Sequence, residues 1–353
     1  MAKRNLPDAR ILGIETSCDE TAAAVIENGR SLLSNVVASQ IDLHARYGGV
    51  FPEVASRQHI KTIYAVVSEA LEQAHMQLNN LDAIAVTRGP GLAGSLVVGI
   101  NMAKGMAVAS GLPLIGVNHV LGHLYSAFLD DRVKMKFPFV GLVVSGGHTA
   151  LFYCKSVNKQ ELLGQTQDDA VGEAYDKVAK ILGLGYPGGP VIEERALDAK
   201  GHNGITFPKS YMGKDSLDFS FSGVKTAVLY YVRDRFNLRG GKIPPRRWNR
   251  LADICYAFQE AVLDVLVDKA MLAAEKCNVD RIVVGGGVAI NSRLREKFSE
   301  YAAMAGKEVY FPEKRYCLDN AAMIGSLGEA FYKKGYRSDL YLSAQPNLEV
   351  KDG

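Results

Sequence analysis

Two stretches of the chain repeat the same order of apolar and polar positions. Residues 11–26 consist of an apolar stretch, a polar stretch that ends at Thr21, and a second apolar stretch. Residues 139–154 repeat this order around a polar stretch that ends at Thr149. We predict two β-hairpins with tight polar tips, related as an internal repeat. The backbone N–H groups of such tips can bind a phosphate-like anion, although two ordinary hairpins explain the same pattern.

Helical periodicity alternates with short apolar strands along the rest of the chain. Residues 59–75 carry apolar positions at helical spacing, and residues 94–109 have small residues along one face. Such alternation predicts an α/β fold of two related lobes with a ligand cleft between them. Further helices are predicted at residues 168–182, 251–277, 292–303 and 321–332, and further strands at residues 84–87 and 281–284.

The length and composition agree with a two-lobed globular protein. The chain has 353 residues, of which 48% are hydrophobic and 22% charged, and its formal net charge is +3. These values exclude a disordered chain and a strongly basic DNA-coating protein. We expect an N-terminal lobe over residues 10–135, a C-terminal lobe over residues 136–330 and a tail over residues 331–353, with the C-terminal helix packing back on the first lobe.

Residues 232–250, the basic insertion, concentrate positive charge. They hold seven arginine or lysine residues against Asp234 alone, one Gly-Gly pair, one Pro-Pro pair and Trp248, the only tryptophan. This composition suits contact with a phosphate backbone, and the indole suits stacking on a base. A solvated surface insertion is an equally good interpretation.

The cysteines and the uncharged stretches of the chain indicate the cellular compartment of the protein. Five cysteines without a Cys-x-x-Cys pair argue against a disulfide framework or a cysteine zinc site and favour a reducing cytosol. Polar residues interrupt the uncharged stretches 105–129 and 137–154, so neither resembles a membrane helix. The first apolar stretch ends at Glu15, too early for a signal peptide. We therefore expect a soluble cytoplasmic protein without membrane contact.

Glycine is unusually frequent, at 35 residues, which indicates tight turns where backbone approaches backbone or a ligand. Residues 285–291 read Gly-Gly-Gly-Val-Ala-Ile-Asn between a predicted strand and a predicted helix. The glycines permit close approach of a planar ligand, and Asn291 can cap the helix or bind a ligand hydroxyl. The segment lacks the glycine spacing of NAD-binding proteins and the Lys-Ser/Thr ending of a P-loop.

Two histidines and two aspartates are candidates for chemistry. His119 and His123 lie four positions apart, which places both imidazoles on one helix face at a spacing that suits two ligands of one metal ion. Two partly buried side chains are the commoner outcome of such a pair. Asp319 precedes a predicted helix and is first expected to be its N-cap, and Asp176 is first expected to be an exposed partner of Lys180. No Gly-x-Ser-x-Gly elbow is present, which disfavours a serine nucleophile.

Nine short motifs, together with His119 and His123, resemble one family in their order. The chain closely resembles the TsaD/Kae family, the tRNA N6-adenosine threonylcarbamoyltransferases once labelled glycoproteases, in its bacterial form, over about residues 10–345. The resemblance implies the actin/Hsp70/sugar-kinase fold. The motifs are GIETSCDET (13–21), GGVFPE (48–53), GPGL (89–92), VSGGHT (144–149), GEAYDK (172–177), YPGGP (186–190), FSFSGVKT (219–226), GGGVAIN (285–291) and DNAAMI (319–324).

The resemblance implies roles for individual residues. One divalent metal ion per subunit, usually described as iron, would be held by His119, His123 and Asp319, with Zn2+ and Mg2+ as other candidates. It also implies a catalytic role near the two hairpin tips for Asp19, Glu20 and His148. The adenylate substrate would be bound by Val143, Val144, Ser145, Gly146, Gly147, Asp176, Gly189, Glu193 and Asn291.

The resemblance implies a reaction and partners as well. The threonylcarbamoyl group of threonylcarbamoyl-adenylate would pass to N6 of adenosine 37 in tRNAs that read codons beginning with A, with release of AMP. A TsaB-like paralogue of the same fold and a small TsaE-like ATPase would be partners. The alternatives are a small-molecule kinase of the same fold, a metalloprotease, which lacks a general-base Glu beside the His pair, and a non-catalytic member of a modification complex.

Overall fold

The computed structural model describes residues 8–47, 49–129, 136–199, 204–236 and 250–350, without the side chain of Phe236. Within them the strands are β1 (Arg10–Glu15), β2 (Glu20–Glu27), β3 (Ser31–Ser39), β4 (Ala83–Gly89), β5 (Leu114–Asn118), β6 (Phe139–Val144), β7 (Thr149–Ser156), β8 (Lys159–Gln165), β9 (Arg281–Gly285) and β10 (Glu308–Tyr310). The helices are α1 (Ile41–Ala45), α2 (Pro52–Gln73), α3 (Ala93–Ser110), α4 (His119–Tyr125), α5 (Val171–Leu182), α6 (Gly188–Leu197), α7 (Ser222–Phe236), α8 (Leu251–Lys276), α9 (Ser292–Ala305) and α10 (Ala321–Lys333).

The strands form two five-stranded sheets that repeat one topology. The first has the order β3-β2-β1-β4-β5 and the second the order β8-β7-β6-β9-β10. In each sheet the central strand pairs antiparallel with the strand after it and parallel with a strand much later in the sequence. Both predicted hairpins are confirmed, and so is the fold class of two related α/β lobes.

The chain divides into two compact units that do not follow the predicted boundaries. The first unit holds the described residues of Met1–Phe137, Lys155–Gln160 and Pro312–Gly353, and the second holds those of Pro138–Cys154 and Glu161–Phe311. Residues 312–330 therefore belong to the first unit, and they include most of α10, the C-terminal helix that we expected to pack back on the first lobe. The reason is that α10 packs against β1, β2 and β4 of the first sheet.

The first sheet is covered on both faces by apolar side chains. Because side chains alternate along a strand, Leu12 and Ile14 of β1 face a core cluster that includes residues of α2 and α3. On the other face, Ala22 and Ala24 of β2 pack with Ala321 at the start of α10. This burial explains why the central strands are nearly continuous apolar runs.

Gly13 allows α10 to lie directly on β1. A Cβ atom at position 13 would lie 2.3 Å from the carbonyl oxygen of Ala321 and 2.7 Å from the amide nitrogen of Gly325. Both distances are far below van der Waals contact. Only a glycine at this position permits the observed approach, which fixes the place of the α10 N-terminus against the sheet.

Helix α3 is the one helix in the described part of the chain with the length and apolar composition of a membrane span. It packs against α2 and β4, as the core helix of a globular unit does. Its outward-facing side chains include Val97 and Val108, which are 46% and 66% exposed.

Two predicted helices begin at other residues than expected. Helix α2 starts at Pro52 rather than at residue 59, because proline is favourable in the first helical turn. Helix α5 starts at Val171 rather than at residue 168, since the carboxylate of Asp168 instead accepts hydrogen bonds at the start of α7, from Ser220 and Ser222. Of the basic insertion, residues 237–249 lie outside the described residues.

Candidate functional site

Three side chains of the first unit converge on one point. His119, His123 and Asp319 each offer a ligand atom, and these atoms lie within 4.8 Å of one another. Oδ1 of Asp319 lies 3.6 Å from Nε2 of His119 and 3.2 Å from Nε2 of His123. The sequence placed both histidines on one helix face, and the structure brings the distant aspartate to them.

Helix α4 presents both imidazoles from its first turns. The side chain of Asn118 caps the helix by accepting a hydrogen bond from the Leu121 N–H at 3.2 Å. His119 and His123 are buried, and their ring centroids are 4.7 Å apart in an edge-to-face arrangement. Burial restricts both rings to few rotamers, which suits ligands that must hold a fixed geometry.

Asp319 is available to the histidines because it does not cap α10. Asn320 is the N-cap, and its Oδ1 accepts from the Met323 N–H at 3.0 Å. The amide of Asn320 also donates to the carbonyls of Tyr316 and Leu318. The expectation that Asp319 itself caps the helix is therefore wrong, and the cap in the next position leaves its carboxylate to face His119 and His123.

Glu15, at the buried end of β1, is a functional residue that our sequence analysis missed. Its Oε2 lies 3.0 Å from Nδ1 of His119 and accepts a hydrogen bond from the Thr87 hydroxyl at 2.7 Å. The Ser17 N–H donates to the other oxygen of this carboxylate. The available signal was an acidic residue directly after the apolar stretch 11–14 of a buried strand.

The Glu15 carboxylate determines which nitrogen of His119 faces Asp319 as a ligand atom. Burial alone would raise the pKa of Glu15, but His119 beside it lowers the pKa below its ordinary value. An ionised carboxylate only accepts hydrogen bonds, so Nδ1 of His119 carries the proton and donates it. Nε2 therefore points at Asp319. A carboxylate behind a histidine ligand is the usual outer partner in metal sites.

The donor set fits a divalent cation. Burial favours the neutral form of His119, but the charges of Asp319 and Glu15 outweigh it and raise the pKa of His119 to about 9. This site therefore attracts positive charge. Within the described residues, neither ring nitrogen of His123 has a hydrogen-bond partner, although Nε2 lies near Asp319. Two imidazoles and one carboxylate suit Fe2+ or Zn2+ better than Mg2+, which prefers oxygen ligands.

We expect Glu15→Gln to weaken binding of the metal ion roughly 10–100-fold, the usual effect of losing an outer carboxylate partner. The neutral amide no longer stabilises the proton on Nδ1 of His119, so the ring loses its charged partner. Competition between the purified protein and a chelator for Zn2+ measures the change.

Glu27→Gln is the matched control for Glu15→Gln. Glu27 ends the neighbouring strand β2 and pairs with Arg10 at 2.9 Å, away from the histidines. Its Zn2+ affinity should equal that of the unaltered chain. Equal affinities for Glu15→Gln and Glu27→Gln would contradict the assigned role of Glu15.

The first hairpin tip lies beside the same cluster. Ser17 Oγ is 3.1 Å from Nδ1 of His119. Burial, followed by the charges of Asp319 and Asp19, raises the pKa of Glu20 to about 10. The structure thus brings Glu20, one of the two acidic residues that sequence reasoning singled out at this tip, within electrostatic reach of Asp319. The other, Asp19, is buried.

The second hairpin tip, in the second unit, is a tight turn closed within itself. The Ser145 N–H donates to the His148 carbonyl at 2.8 Å, and the His148 N–H donates to Ser145 Oγ at 3.1 Å. A Cβ atom added at Gly146 or Gly147 would have no atom within 4 Å. The two glycines border open space, where their backbone N–H groups can meet a ligand.

The strand that leads into this tip cannot offer side chains to a ligand. Val143 and Val144 are completely buried in β6, so only their backbone can serve the binding role expected of them. Gly286 passes close beside them: a Cβ there would lie 2.4 Å from the Val144 carbonyl oxygen, and its φ is +99°. This glycine lets the Gly-Gly-Gly segment run along the tip.

The remaining candidate side chains of the second unit contact helix N-termini. Asp176 accepts from the Gly188 N–H at 2.7 Å at the start of α6, rather than pairing with Lys180. Glu193 accepts from the Ser292 N–H at 2.8 Å at the start of α9. Asn291 caps α9 through the Leu294 N–H and donates to Gln259.

The chain matches one protein family along most of its length. Residues 31–326 match the family described as "TsaD: tRNA N6-adenosine threonylcarbamoyltransferase". A protein of that name from Clostridium botulinum strain 657 is 51% identical over 96% of this chain and 97% of its own length. One from Clostridium novyi is 51% identical over 97% of this chain and 98% of its own length.

Solved structures with low sequence identity share the fold. Full-length HypF in the phosphate- and nucleotide-bound form has a TM-score of 0.59 and 14% identity, covering 93% of this chain and 47% of that one. Component A of Acidaminococcus fermentans (R)-2-hydroxyglutaryl-CoA dehydratase has a TM-score of 0.52 and 14% identity, covering 91% and 98%. The predicted actin/Hsp70/sugar-kinase type of fold is confirmed.

Proposed function

The chain belongs to the tRNA N6-adenosine threonylcarbamoyltransferase family, and on that premise we propose how its residues carry out the transfer. It is an acyltransferase that forms N6-threonylcarbamoyladenosine in tRNA. The observation that carries this conclusion is 51% identity to enzymes of that name along nearly the whole of both chains. The kinase, the metalloprotease and the non-catalytic subunit receive no support.

Threonylcarbamoyl-adenylate is the proposed donor, and adenosine 37 of tRNAs that read codons beginning with A is the proposed acceptor. N6 of the adenosine attacks the carbamoyl carbon, a C–N bond forms, and the C–O bond to the phosphate breaks so that AMP leaves. N6 also gives up one proton. A mixed anhydride supplies the activation, since the amine of adenosine is a weak nucleophile.

The second unit is proposed to bind the adenylate. Support comes from the open space beside Gly146, Gly147 and Gly189, where backbone N–H groups can reach phosphate oxygens. The N–H groups of Gly146 and Gly147 suit stabilisation of negative charge on the carbamoyl oxygen in the transition state. The carboxylates of Asp176 and Glu193 are acceptors for ribose hydroxyls, and Val143, Val144 and Asn291 shape the site.

The first unit is proposed to hold one divalent ion through His119, His123 and Asp319. When bound, the ion supplies Lewis acidity to the carbonyl or holds the leaving phosphate. Two imidazoles with one carboxylate favour Fe2+, with Zn2+ the next candidate and Mg2+ the least suited.

Asp19, Glu20 and His148 are the proposed catalytic groups. With a pKa near 10, Glu20 holds a proton at neutral pH while the charge of Asp319 is uncompensated, and a nearby cation favours its ionised form. A carboxyl poised between these two forms is suited to accept or return the proton that leaves N6.

The proposed partners are tRNA, a TsaB-like paralogue and a TsaE-like ATPase. The outer faces of α2 and α3 support a docking face for the paralogue, because Ile60, Tyr64 and Val108 are 65%, 74% and 66% exposed there. The basic insertion is proposed to contact tRNA. A cytoplasmic location is proposed because none of the five cysteines, all of which lie in the described part of the chain, forms a disulfide.

Reconstitution tests the proposed reaction. The purified chain is incubated with TsaB-like and TsaE-like partners, an enzyme that makes the adenylate, threonine, bicarbonate, ATP and a tRNA with an anticodon for an A-starting codon. Nucleoside mass spectrometry should then show threonylcarbamoyl on adenosine 37. Unmodified tRNA under these complete conditions, with a related enzyme active in parallel, would refute the proposal.

A further inference from the structure

His59 is a buried histidine that the roles described so far leave unused. It lies on the inner face of α2 and is fully buried. Nε2 lies 3.0 Å from the carbonyl oxygen of Cys18, and Nδ1 lies 2.8 Å from Oγ1 of Thr21. Both ring nitrogens therefore contact the first hairpin tip, one on each side of Asp19 and Glu20.

The neighbours of His59 determine its protonation. Burial lowers the pKa of His59 below its ordinary value, so the ring is neutral at physiological pH. A carbonyl oxygen only accepts, so Nε2 carries the hydrogen and donates it to Cys18. Nδ1 then accepts from the Thr21 hydroxyl. Oγ1 of Thr62 lies 3.0 Å from Oγ1 of Thr21 and donates to the Gln58 carbonyl.

Three successive backbone carbonyls of the tip, those of residues 17, 18 and 19, accept hydrogen bonds from three separate parts of the chain. The Ser17 carbonyl accepts from the Leu92 N–H at 2.7 Å, the Cys18 carbonyl from His59, and the Asp19 carbonyl from the Gln40 N–H at 3.1 Å. Two of these donors are backbone groups. His59 is the side chain among them, so it is the contact that a substitution can remove.

We propose that His59 is a positioning residue for the Asp19–Glu20 tip. The Cys18 carbonyl and the Asp19 N–H belong to one planar peptide unit and point in opposite directions. Holding the carbonyl toward α2 therefore fixes the direction of the Asp19 N–H and the point at which both acidic side chains leave the backbone. This role rests on the proposed function, in which Asp19 and Glu20 act on the substrate.

Substitutions can distinguish the roles of the two ring nitrogens of His59. The amide nitrogen of glutamine lies near the place of Nε2, so His59→Gln retains a donor for the Cys18 carbonyl. The amide of asparagine reaches only the place of Nδ1, so His59→Asn retains a partner for Thr21 and loses the bond to Cys18. Thr21→Val removes the hydroxyl partner while leaving His59 and Cys18 in contact.

The experiment compares kcat, the KM for tRNA, metal content and amide hydrogen exchange of residues 16–21 in these variants. We expect His59→Asn to lower kcat by roughly tenfold to a hundredfold, the usual cost of a small misplacement of catalytic groups. Its KM and metal content should stay unchanged, and exchange of the tip should rise. His59→Gln and Thr21→Val should remain within a few fold of the unaltered chain in kcat.

Three results would overturn the role of His59. One is a normal kcat with normal exchange in His59→Asn, and another is a loss in His59→Gln equal to that in His59→Asn. The third is a loss in His59→Asn that follows its metal content or folded fraction. An inactive unaltered chain would refute the proposed function instead, and the exchange measurement would still decide whether His59 holds the tip.

Discussion

Replacing His123 with alanine is expected to remove the metal ion and to lower the rate of adenosine modification by at least about a hundredfold. Loss of an outer partner of a metal ligand already costs roughly 10–100-fold, and this substitution deletes one of three protein ligands. Of the three ligands, His123 is the one whose removal disturbs the fewest other contacts. Within the described residues its ring nitrogens have no hydrogen-bond partner, whereas His119 also holds Glu15.

The measurement combines metal analysis of the purified protein with single-turnover formation of the modified nucleoside. His75→Asn is the control, because His75 is an exposed histidine at φ +53° and asparagine tolerates that backbone conformation. The control should bind one ion and react normally. One ion per chain together with a normal rate in His123→Ala would show that the His119, His123 and Asp319 cluster is not the metal site.

Gly13→Ala is expected to lower the free energy of unfolding by about 3 kcal/mol, at the upper end of the usual cost of forcing a methyl group into a packed interior. The new Cβ would lie 2.3 Å from the Ala321 carbonyl oxygen, a backbone atom that moves only if α10 moves. Asp319 lies two positions before the first residue of α10. We therefore expect Zn2+ affinity to fall together with stability, although Gly13 contacts none of the three ligands.

Gly105→Ala is the matched control for the substitution at Gly13. Gly105 lies on the exposed side of α3, and a Cβ there would have no atom within 4 Å. Alanine in an exposed helix interior should raise stability by up to about 1 kcal/mol. Urea unfolding measures both variants. A Gly13→Ala protein as stable as Gly105→Ala would contradict the close packing of β1 against α10.

The local pattern of apolar and polar positions was sufficient to predict the helices and strands whose apolar positions recur without interruption. The two hairpins and helices α8, α9 and α10 were predicted within two residues of their observed ends, because burial on one or both faces leaves a strong period in the sequence. Strand β5 was missed. It is five residues long and is ordered by parallel pairing with β4, a partner that local periodicity cannot reveal.

The candidate site shows a different limit of prediction from the sequence. The spacing of His119 and His123 was informative because one helix carries both. Asp319 and Asn320 are adjacent and both are good N-caps, so the sequence does not tell which one caps α10 and which one is left for another role. Glu15 was missed for a related reason: its partners, Thr87 and His119, come from β4 and α4, and only the folded chain brings them together.

We expected the C-terminal helix to pack back on the first lobe, but short-range order does not show at which residue the chain returns to the first sheet. Residues 312–330 follow the second sheet directly in sequence, and nothing in their composition separates them from it. Their place is decided by complementary surfaces: Gly13 and Gly325 offer bare backbone where β1 meets α10, and Ala321 and Ala322 add small side chains.

The discontinuous first unit has a consequence for biosynthesis. During translation, β1 and α4 leave the ribosome long before Pro312, so a nascent chain carries Glu15, His119 and His123 without Asp319 or the helix that covers β1. Until that helix has been synthesised, the apolar face of the first sheet that it covers stays exposed, and chaperones and proteases can reach this face. A prematurely terminated polypeptide therefore cannot assemble the proposed ligand set of His119, His123 and Asp319.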